Sequence, residues 1–312
     1  MKKSLSNHLL TVGSVAFDSI KTPFGQAKKT LGGSATYFSL AASFFAQPSI
    51  IAVVGQDFQH RHKQILQKRQ IDLSGLRVQK GKSFAWTGEY FLDLNTRQTL
   101  KLALNVFADF KPQLLLHHRQ SPYVFLGNIH PKLQLQVLRQ IENSKLVGLD
   151  TVDFWIEHNL KELQKVLKLV DVFVINEAEA RQLSKERNLR QAAKKIIRMM
   201  GKTKSPILII KQGEYGLLMF YHGEIFNSPG YPLETIFDPT GAGDSFAGGF
   251  MGYLAGVDKV DENHLKRACI FGSVIASFCV EDFGTKRLER LTKKEIQNRF
   301  AEFKHLTHFE IK

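Results

Sequence analysis

Short apolar runs rich in β-branched residues alternate along the chain with longer stretches in which apolar residues recur every three or four positions. The runs are typical of parallel strands that are buried on both faces, and the longer stretches are typical of amphipathic helices. Six runs predict strands, at residues 9–15, 50–54, 123–126, 146–149, 172–175 and 207–210. This alternation predicts an α/β fold with a doubly wound sheet and right-handed crossovers.

Two segments depart from this pattern. Residues 84–104 have an extended pattern around a turn zone at residues 93–97, which predicts two antiparallel strands. Residues 19–31 contain Pro23 and Gly25 and predict a small strand rather than a helix. We therefore expect one domain over residues 1–312, with a small β-sheet from segments 17–31 and 84–104 inserted in the α/β body. The last third predicts helices, at residues 241–254, 262–280 and 293–303.

Composition narrows the class of protein. The 312 residues carry 43 Lys+Arg against 29 Asp+Glu, a formal net charge of +14, with 43% hydrophobic and 23% charged residues. These fractions are those of a globular protein, neither disordered nor membrane-spanning. Two cysteines, Cys269 and Cys279, are too few for a disulfide framework. Since no cleavage site follows the basic start at residues 1–3, we expect a cytoplasmic location.

The positive charge favours anionic partners, because it attracts polyanions and anionic substrates alike. The basic residues are spread along the chain, and we find no zinc-finger spacing, RNA-binding aromatic stretch or basic leucine zipper. We therefore expect neither nucleic acid nor a membrane as a partner.

The most informative segment is the nonapeptide Asp-Pro-Thr-Gly-Ala-Gly-Asp-Ser-Phe at residues 238–246. Phenylalanines then recur at four-residue spacing, so a helix is predicted to begin at or near Gly241. The bare N–H groups of Gly241 and Gly243 at this helix start form an anion site, and Asp244 places a carboxylate beside it. Such a pair predicts phosphoryl transfer, in which amides hold the developing charge and the carboxylate accepts the proton of the attacking hydroxyl.

A simpler interpretation of the same segment is a glycine-rich helix start that is capped by its acid. It is not a dinucleotide fingerprint, because Phe246 stands where the third glycine would lie.

At this point the chain resembles the ribokinase (PfkB) family of carbohydrate kinases. Residues 238–244 match that family's C-terminal signature, and four further elements match in the family's order. They are residues 13–18, the pair Gly32–Gly33, the N-x-x-E element at 176–179 and the glycine-bearing turn at 211–216. The resemblance implies a ribokinase-like fold, Rossmann-like with a small β-sheet lid. It also implies transfer of the γ-phosphoryl group of ATP, with Mg²⁺, to an alcohol of a sugar, a nucleoside or a related molecule.

The resemblance also implies a role for each matching residue. Asp244 would be the general base, and the amides of Gly241, Ala242 and Gly243 the anion hole. The expected acceptor-binding residues are Asp18, Gly32 and Gly33. The expected nucleotide-binding residues are Asn176, Lys211, Gly213, Gly216, Asp238 and Thr240. Glu179 would organise the metal ion.

The departures from the family pattern concern the acceptor. Tyr37 stands where the sugar kinases commonly have an asparagine that binds a substrate hydroxyl, and a phenol offers stacking area instead. Asp150 resembles the family's strand-end aspartate but lacks the asparagine two residues later. Asn105, near a strand end, is a further candidate, with a loop or capping role as its alternative. The predicted lid is aromatic, through Phe84, Trp86, Tyr90 and Phe91, side chains that suit either packing or a flat acceptor.

We therefore expect a sugar or sugar-like polyol as the acceptor, which the family favours, with a nucleoside as the alternative, which the aromatic residues favour. A third and weaker hypothesis is a non-catalytic, kinase-like protein that binds a polyanion, although its phosphate site would then be expected to have decayed.

The remaining candidate residues indicate less about function. The cysteines are expected to be buried, and His117, His118, His305 and His308 are expected on the surface because no metal-site spacing accompanies them. Glu281 and Gly284 fall where the family often has a loop near a monovalent cation. An exposed edge of the lid sheet would permit a homodimer.

Overall fold

Two β-sheets organise the part of the chain that the structure, a computed structural model, describes: residues 7–201 and 205–307. Residues 1–3 and His308 therefore lie outside the described residues. In chain order the strands are β1 (His8–Val12), β2 (Ala16–Thr22), β3 (Gly25–Gly32), β4 (Gln47–Gly55), β5 (Leu76–Gln79), β6 (Phe84–Tyr90), β7 (Arg97–Ala103), β8 (Tyr123–Leu126), β9 (Leu146–Asp150), β10 (Val172–Asn176), β11 (Ile207–Lys211), β12 (Leu217–Tyr221) and β13 (Glu224–Ser228).

Helices connect most of these strands, and four of them end the described chain. In chain order they are α1 (Ser34–Ala42), α2 (His60–Lys68), α3 (Leu116–Arg119), α4 (Pro131–Leu138), α5 (Asp153–His158), α6 (Leu160–Leu167), α7 (Glu177–Ser184), α8 (Leu189–Met199), α9 (Ala242–Val257), α10 (Glu262–Cys279), α11 (Lys286–Arg290) and α12 (Lys293–Thr307).

The larger sheet has the order β13-β12-β11-β10-β9-β8-β1-β4-β5. Its strands from β11 to β5 are parallel, whereas β12 and β13 are added antiparallel at one edge. All six predicted strands are present. The predicted runs miss β5 and β13, which form the two edges, are largely exposed and carry no continuous apolar run. They also miss β12, although its residues are apolar and mostly buried.

A hydrophobic core covers each face of the larger sheet, as the doubly wound prediction requires. Leu9 and Leu10, neighbours on β1, enter different core clusters because successive side chains of a strand point to opposite faces. On one face α9 packs closely on α1: a Cβ at Gly252 would lie 2.8 Å from Ala42 Cα. Glycines along α9, such as Gly248 and Gly252, therefore let the two helices approach closely.

The smaller sheet has the order β3-β2-β6-β7. The predicted antiparallel pair at 84–104 is present as β6 and β7, with Ala85 opposite Ala103. The first segment forms two antiparallel strands, β2 and β3, where we expected a small strand. On the edge strand β7, Leu100 and Leu102 are exposed. A homodimer through this edge stays a prediction.

In the described part of the chain, no helix has both the length and the apolar character that crossing a bilayer requires.

Candidate active site

The signature segment forms the start of α9. Gly241 has φ +78° and precedes the helix, in the left-handed region that glycine tolerates. The ring of Tyr37 packs against it so closely that a Cβ would overlap the ring. Asp244 lies in the first turn of α9, and its Oδ1 is buried without a hydrogen-bond partner among the described residues. A carboxylate oxygen is thus held beside the helix N-terminus and left free for another group.

Three acidic side chains approach one another near this helix start. Asp150 ends β9, Glu179 lies in the first turn of α7 and Asp244 lies in the first turn of α9. Asp150 and Glu179 lie together because the carboxyl ends of the neighbouring parallel strands β9 and β10 lie at one edge of the sheet. The start of α9 brings Asp244 near Asp150. Burial raises the pKa of Asp244 to about 7; the charge of Asp150 adds to this and Lys211 opposes it. Lys211 ends β11, and its Nζ would lie 2.6 Å from a Cβ at Gly243.

Glu179 and Asn176 form a capping box at the start of α7. Asn176 Oδ1 accepts from the Glu179 N–H at 2.8 Å, and Glu179 Oε2 accepts from the Asn176 N–H at 3.1 Å. Burial raises the pKa of Glu179 to about 7, with the charge of Asp150 as the next cause. Burial also raises the pKa of Asp150, against Lys211. Buried carboxylates in excess of the lysine, with Oε1 of Glu179 outside the capping box, are a donor set that fits a hard cation such as Mg²⁺.

A second part of the candidate site is built from β2 and the start of α1. The Asp18 side chain is only 4% exposed, and burial raises its pKa to about 7 although a Gly33 backbone hydrogen bond opposes the shift. Gly33 has φ +91° and directly precedes α1. The Tyr37 hydroxyl is buried and has no partner among the described residues. Asp18 and Tyr37 therefore both hold polar atoms that an acceptor hydroxyl could satisfy.

Gly32 determines where the Asp18 carboxylate lies. A Cβ at Gly32 would overlap Asp18 Oδ2, the end of a side chain rather than backbone, and Gly32 itself has no positive φ. We expect Gly32→Ala to fold normally but to displace this carboxylate, raising KM for the acceptor about tenfold or more. Steady-state kinetics with the acceptor varied, beside a thermal melt, would check this. An unchanged KM would show that Asp18 does not bind the acceptor.

Asp238 and Thr240 of the signature make hydrogen bonds to other residues of the chain. Asp238 is fully buried; its Oδ1 accepts from the Thr240 N–H and its Oδ2 from the Gly284 N–H, both at 2.9 Å. The Thr240 hydroxyl donates to the Tyr90 hydroxyl of β6 at 3.3 Å. These bonds tie the signature loop to the small sheet and to the Gly284 loop, and nucleotide binding by either residue stays a prediction.

The glycine-bearing turn after β11 lies near the tip of the small sheet. Gly213 and Gly216 have φ +59° and +99°, and the Gln212 N–H donates to the Gly216 carbonyl at 2.7 Å. A Cβ at Gly213 would lie 2.8 Å from Oδ1 of Asn95 in the β6–β7 turn. The small sheet therefore reaches the turn that we expect to follow the nucleotide.

Sequence reasoning missed Arg97. It begins β7, opposite Tyr90. Its guanidinium lies close enough to oppose the burial that raises the pKa values of Asp150, Glu179 and Asp244. The only sequence signal was its place in the predicted turn zone, which says nothing about the face it points to.

Several other candidates have protein partners. Asn105 donates to the Ser83 carbonyl at 2.8 Å, which suits the loop role that was its alternative; acceptor binding by it stays a prediction. Glu281 pairs with Arg287 and Arg299. Both cysteines are buried, as expected.

The expectation of a surface position is wrong for His118, which is 0% exposed. His117 and His118 also have a partner carboxylate, which is that of Asp72, 45 residues upstream of His117. Pairing over that distance in the chain depends on the fold and leaves no local spacing.

Comparison with known proteins shows which family the chain resembles. The pfkB family of carbohydrate kinases matches residues 7–290. A cytidine kinase from Thermococcus kodakarensis is 27% identical over 258 residues, covering 80% of this chain and 89% of that protein. The crystal structure of the Methanocaldococcus jannaschii nucleoside kinase superposes with a TM-score of 0.76 at 18% identity, covering 95% and 98% of the two chains. Fructokinase from Vibrio cholerae O395, with fructose, ADP and calcium bound, gives 0.74 at 16%, covering 95% and 100%.

The chain belongs to the pfkB family of carbohydrate kinases. It is therefore a kinase, a phosphotransferase with an alcohol group as acceptor, and the ribokinase-like fold that the sequence predicted is confirmed.

Proposed function

We propose that the protein is an ATP-dependent nucleoside kinase in which Asp244 is the general base. The observation that carries this assignment is the buried, unpartnered Oδ1 of Asp244 at the start of α9, beside the Gly241–Gly243 amides and Lys211. A hydroxyl that approaches the helix N-terminus would find a carboxylate that can accept its proton. The phosphoryl group that the hydroxyl attacks would lie against the positive charge of the helix N-terminus and Lys211.

In the proposed reaction, Asp18 holds hydroxyls of the acceptor. Asp244 Oδ1 accepts the proton of the attacking hydroxyl as its oxygen bonds to the γ-phosphorus and the bond from phosphorus to the β-phosphate oxygen breaks. The Gly241–Gly243 amides and Lys211 stabilise charge on the transferring oxygens. Asp150 and Glu179 would hold Mg²⁺, which neutralises phosphate charge when bound. The turn at Gly213 and Gly216 would lie along the nucleotide.

The nucleoside assignment rests on two kinds of support. The cytidine kinase covers most of this chain, and the nucleoside kinase structure covers nearly all of it. Within the chain, Trp86 on the small sheet is only partly buried and lies 6.4 Å from the ring of Tyr90, in an edge-on arrangement. The ring of Tyr37, by contrast, is buried against Gly241. Aromatic side chains suit a flat base. A sugar acceptor is the second candidate, because the fructokinase shares the fold.

An acceptor panel separates the two candidates. ADP release would be followed with ATP and Mg²⁺ over cytidine, uridine, adenosine, inosine, ribose, fructose and inositols. We expect the highest kcat/KM with a nucleoside and little turnover with free pentose or hexose. Turnover only with a free sugar would overturn the nucleoside assignment while leaving the kinase assignment intact.

The pH dependence follows from the raised pKa values. Asp244 acts as a base only when ionised, and its pKa of about 7 in the free protein, like that of Asp18, lies well above the ordinary 3.8. We expect kcat/KM for the acceptor to rise as the pH increases through about 7 and then to level off, since kcat/KM reports the free enzyme. A profile that is flat from pH 5 to 8 would contradict this.

The small sheet is proposed to act as a lid that carries Arg97 to the phosphates. We expect Arg97→Met to lower kcat about tenfold or more, because it removes a cation facing the three carboxylates. Lys101→Met on the same strand β7 is the matched control and is expected to retain wild-type kcat. Equal effects of the two substitutions would argue against a specific role for Arg97.

A further inference from the structure

A second cluster of chemically active side chains lies away from the kinase site. Asp72 follows α2 and precedes β5, and His117 and His118 lie on α3, just before β8. Ser49, at the start of β4, donates to Asp72 Oδ2 at 3.2 Å. The cluster thus gathers at the amino ends of parallel strands, whereas Asp150 lies at the carboxyl end of β9. The two sites therefore lie at opposite ends of the parallel strands of the larger sheet.

Five of the six distances among four donor atoms in this cluster are close to those of a tetrahedral ligand set. Asp72 Oδ2 lies 3.3 Å from His117 Nε2 and 3.2 Å from His118 Nε2. Ser74 Oγ lies 2.9 Å from Asp72 Oδ2, 3.3 Å from His117 Nε2 and 3.2 Å from His118 Nε2. One ligand atom from each of Asp72, His117 and His118 lies within 4.8 Å of the other two. Ligands on a tetrahedral Zn²⁺ with bonds of about 2.0–2.1 Å are separated by about 3.3–3.4 Å.

Hydrogen bonding alone accounts poorly for this geometry. Four groups surround the single oxygen Asp72 Oδ2: the hydroxyls of Ser49 and Ser74 and the Nε2 atoms of both histidines. A carboxylate oxygen has about two lone pairs, so it cannot accept four good hydrogen bonds at once. A cation between the oxygen and the two ring nitrogens would replace two of these contacts with metal–ligand bonds.

The surroundings suit a bound metal ion. His118 is 0% exposed, and its Nε2 faces the cluster. Asp72 Oδ1 accepts from the Ser74 N–H at 2.8 Å, which fixes the orientation of the carboxylate. A surface cavity of about 470 Å³, with Asp72 and Ser74 in its wall, provides an entry path.

We propose that Asp72, His117 and His118 bind a divalent transition-metal ion of the Zn²⁺ class, with Ser74 Oγ marking the fourth corner of the tetrahedron. Two imidazoles and one carboxylate are ligands that zinc accepts, and they differ from the all-oxygen set that magnesium prefers. The ion links the segments before β5 and β8. Its binding stabilises the folded chain, because the unfolded chain doesn't hold the three ligands together.

The test is zinc titration of the full chain after chelator treatment, with excess Mg²⁺ present to occupy oxygen-only sites. We expect one Zn²⁺ per chain, intense visible bands of tetrahedral Co²⁺ when cobalt replaces zinc, and a higher Tm with either metal. His117 is exposed, so His117→Ala is expected to fold. It should weaken zinc binding by more than the roughly 10–100-fold that loss of an outer partner costs, and abolish the cobalt bands.

Asp72→Asn provides a second variant, since it keeps the size of the side chain and removes its charge; it should also lose the cobalt bands. His60→Ala, at an exposed histidine on α2 outside the cluster, is the matched control and should bind zinc like the wild type. Wild-type protein that binds no stoichiometric Zn²⁺, or zinc affinity that is equal in wild type and His117→Ala, would overturn the proposal.

Discussion

Asp244→Asn is expected to lower kcat about 10²–10⁴-fold while leaving the affinity for ATP nearly unchanged. The amide keeps the size of the side chain but cannot take the proton from the attacking hydroxyl. The Gly241–Gly243 backbone and Lys211, which we expect to contact phosphates, are untouched. Steady-state kinetics and nucleotide titration would measure the two effects. Glu262→Gln removes another first-turn carboxylate, at the exposed start of α10, and is expected to retain wild-type kcat.

The same substitution should stabilise the protein without ligands. Burial raises the Asp244 pKa from 3.8 to about 7, so at pH 8 the folded chain holds an ionised carboxylate that it disfavours relative to the unfolded chain. That cost is fully present above about pH 7 and disappears below the unfolded pKa. Asp244→Asn should therefore raise the free energy of unfolding by about 1–4 kcal/mol at pH 8, and much less near pH 4. An inactive variant that is less stable at pH 8 would indicate structural damage instead.

Asp18→Asn is expected to lower kcat/KM for the acceptor by about 10²-fold, because hydrogen bonds from hydroxyls to a buried carboxylate contribute about 1.5–3 kcal/mol each. The loss should depend on the acceptor. If Asp18 binds ribose hydroxyls, a deoxynucleoside that lacks one of them is a poor substrate for the wild type and suffers less from the substitution. Kinetics of both enzymes with both acceptors form a double-mutant cycle. Equal losses with the two acceptors would show that Asp18 acts elsewhere.

The elements of the fold were predictable from the sequence to different degrees, for physical reasons. Buried parallel strands such as β8 and β10 are continuous apolar runs, so they are visible in the sequence. The exposed edge strands β5 and β13 carry no such run and were missed. The start of α9 was predictable because Gly241 and Asp244 lie within four residues of each other.

Residues that meet only through the fold left no such signal. Arg97 reaches the carboxylates from a separate sheet, and Asp72 meets His117 and His118 from 45 and 46 positions upstream. The pairing of β2 with β6, which brings the two lid segments together, is also a long-range contact. Of the +14 charge, Lys211 and Arg97 lie at the proposed kinase site, and most of the other basic residues lie elsewhere.

The most direct test of the central claim is identification of the product. Wild-type protein would be incubated with ATP, Mg²⁺ and the best nucleoside from the panel, and the mixture followed by ³¹P NMR beside Asp244→Asn. We expect ADP and a nucleoside phosphomonoester to appear in equal amounts with the wild type, and neither at a comparable rate with the variant. Release of inorganic phosphate without phosphorylation of any nucleoside, or equal product formation by Asp244→Asn, would contradict the account.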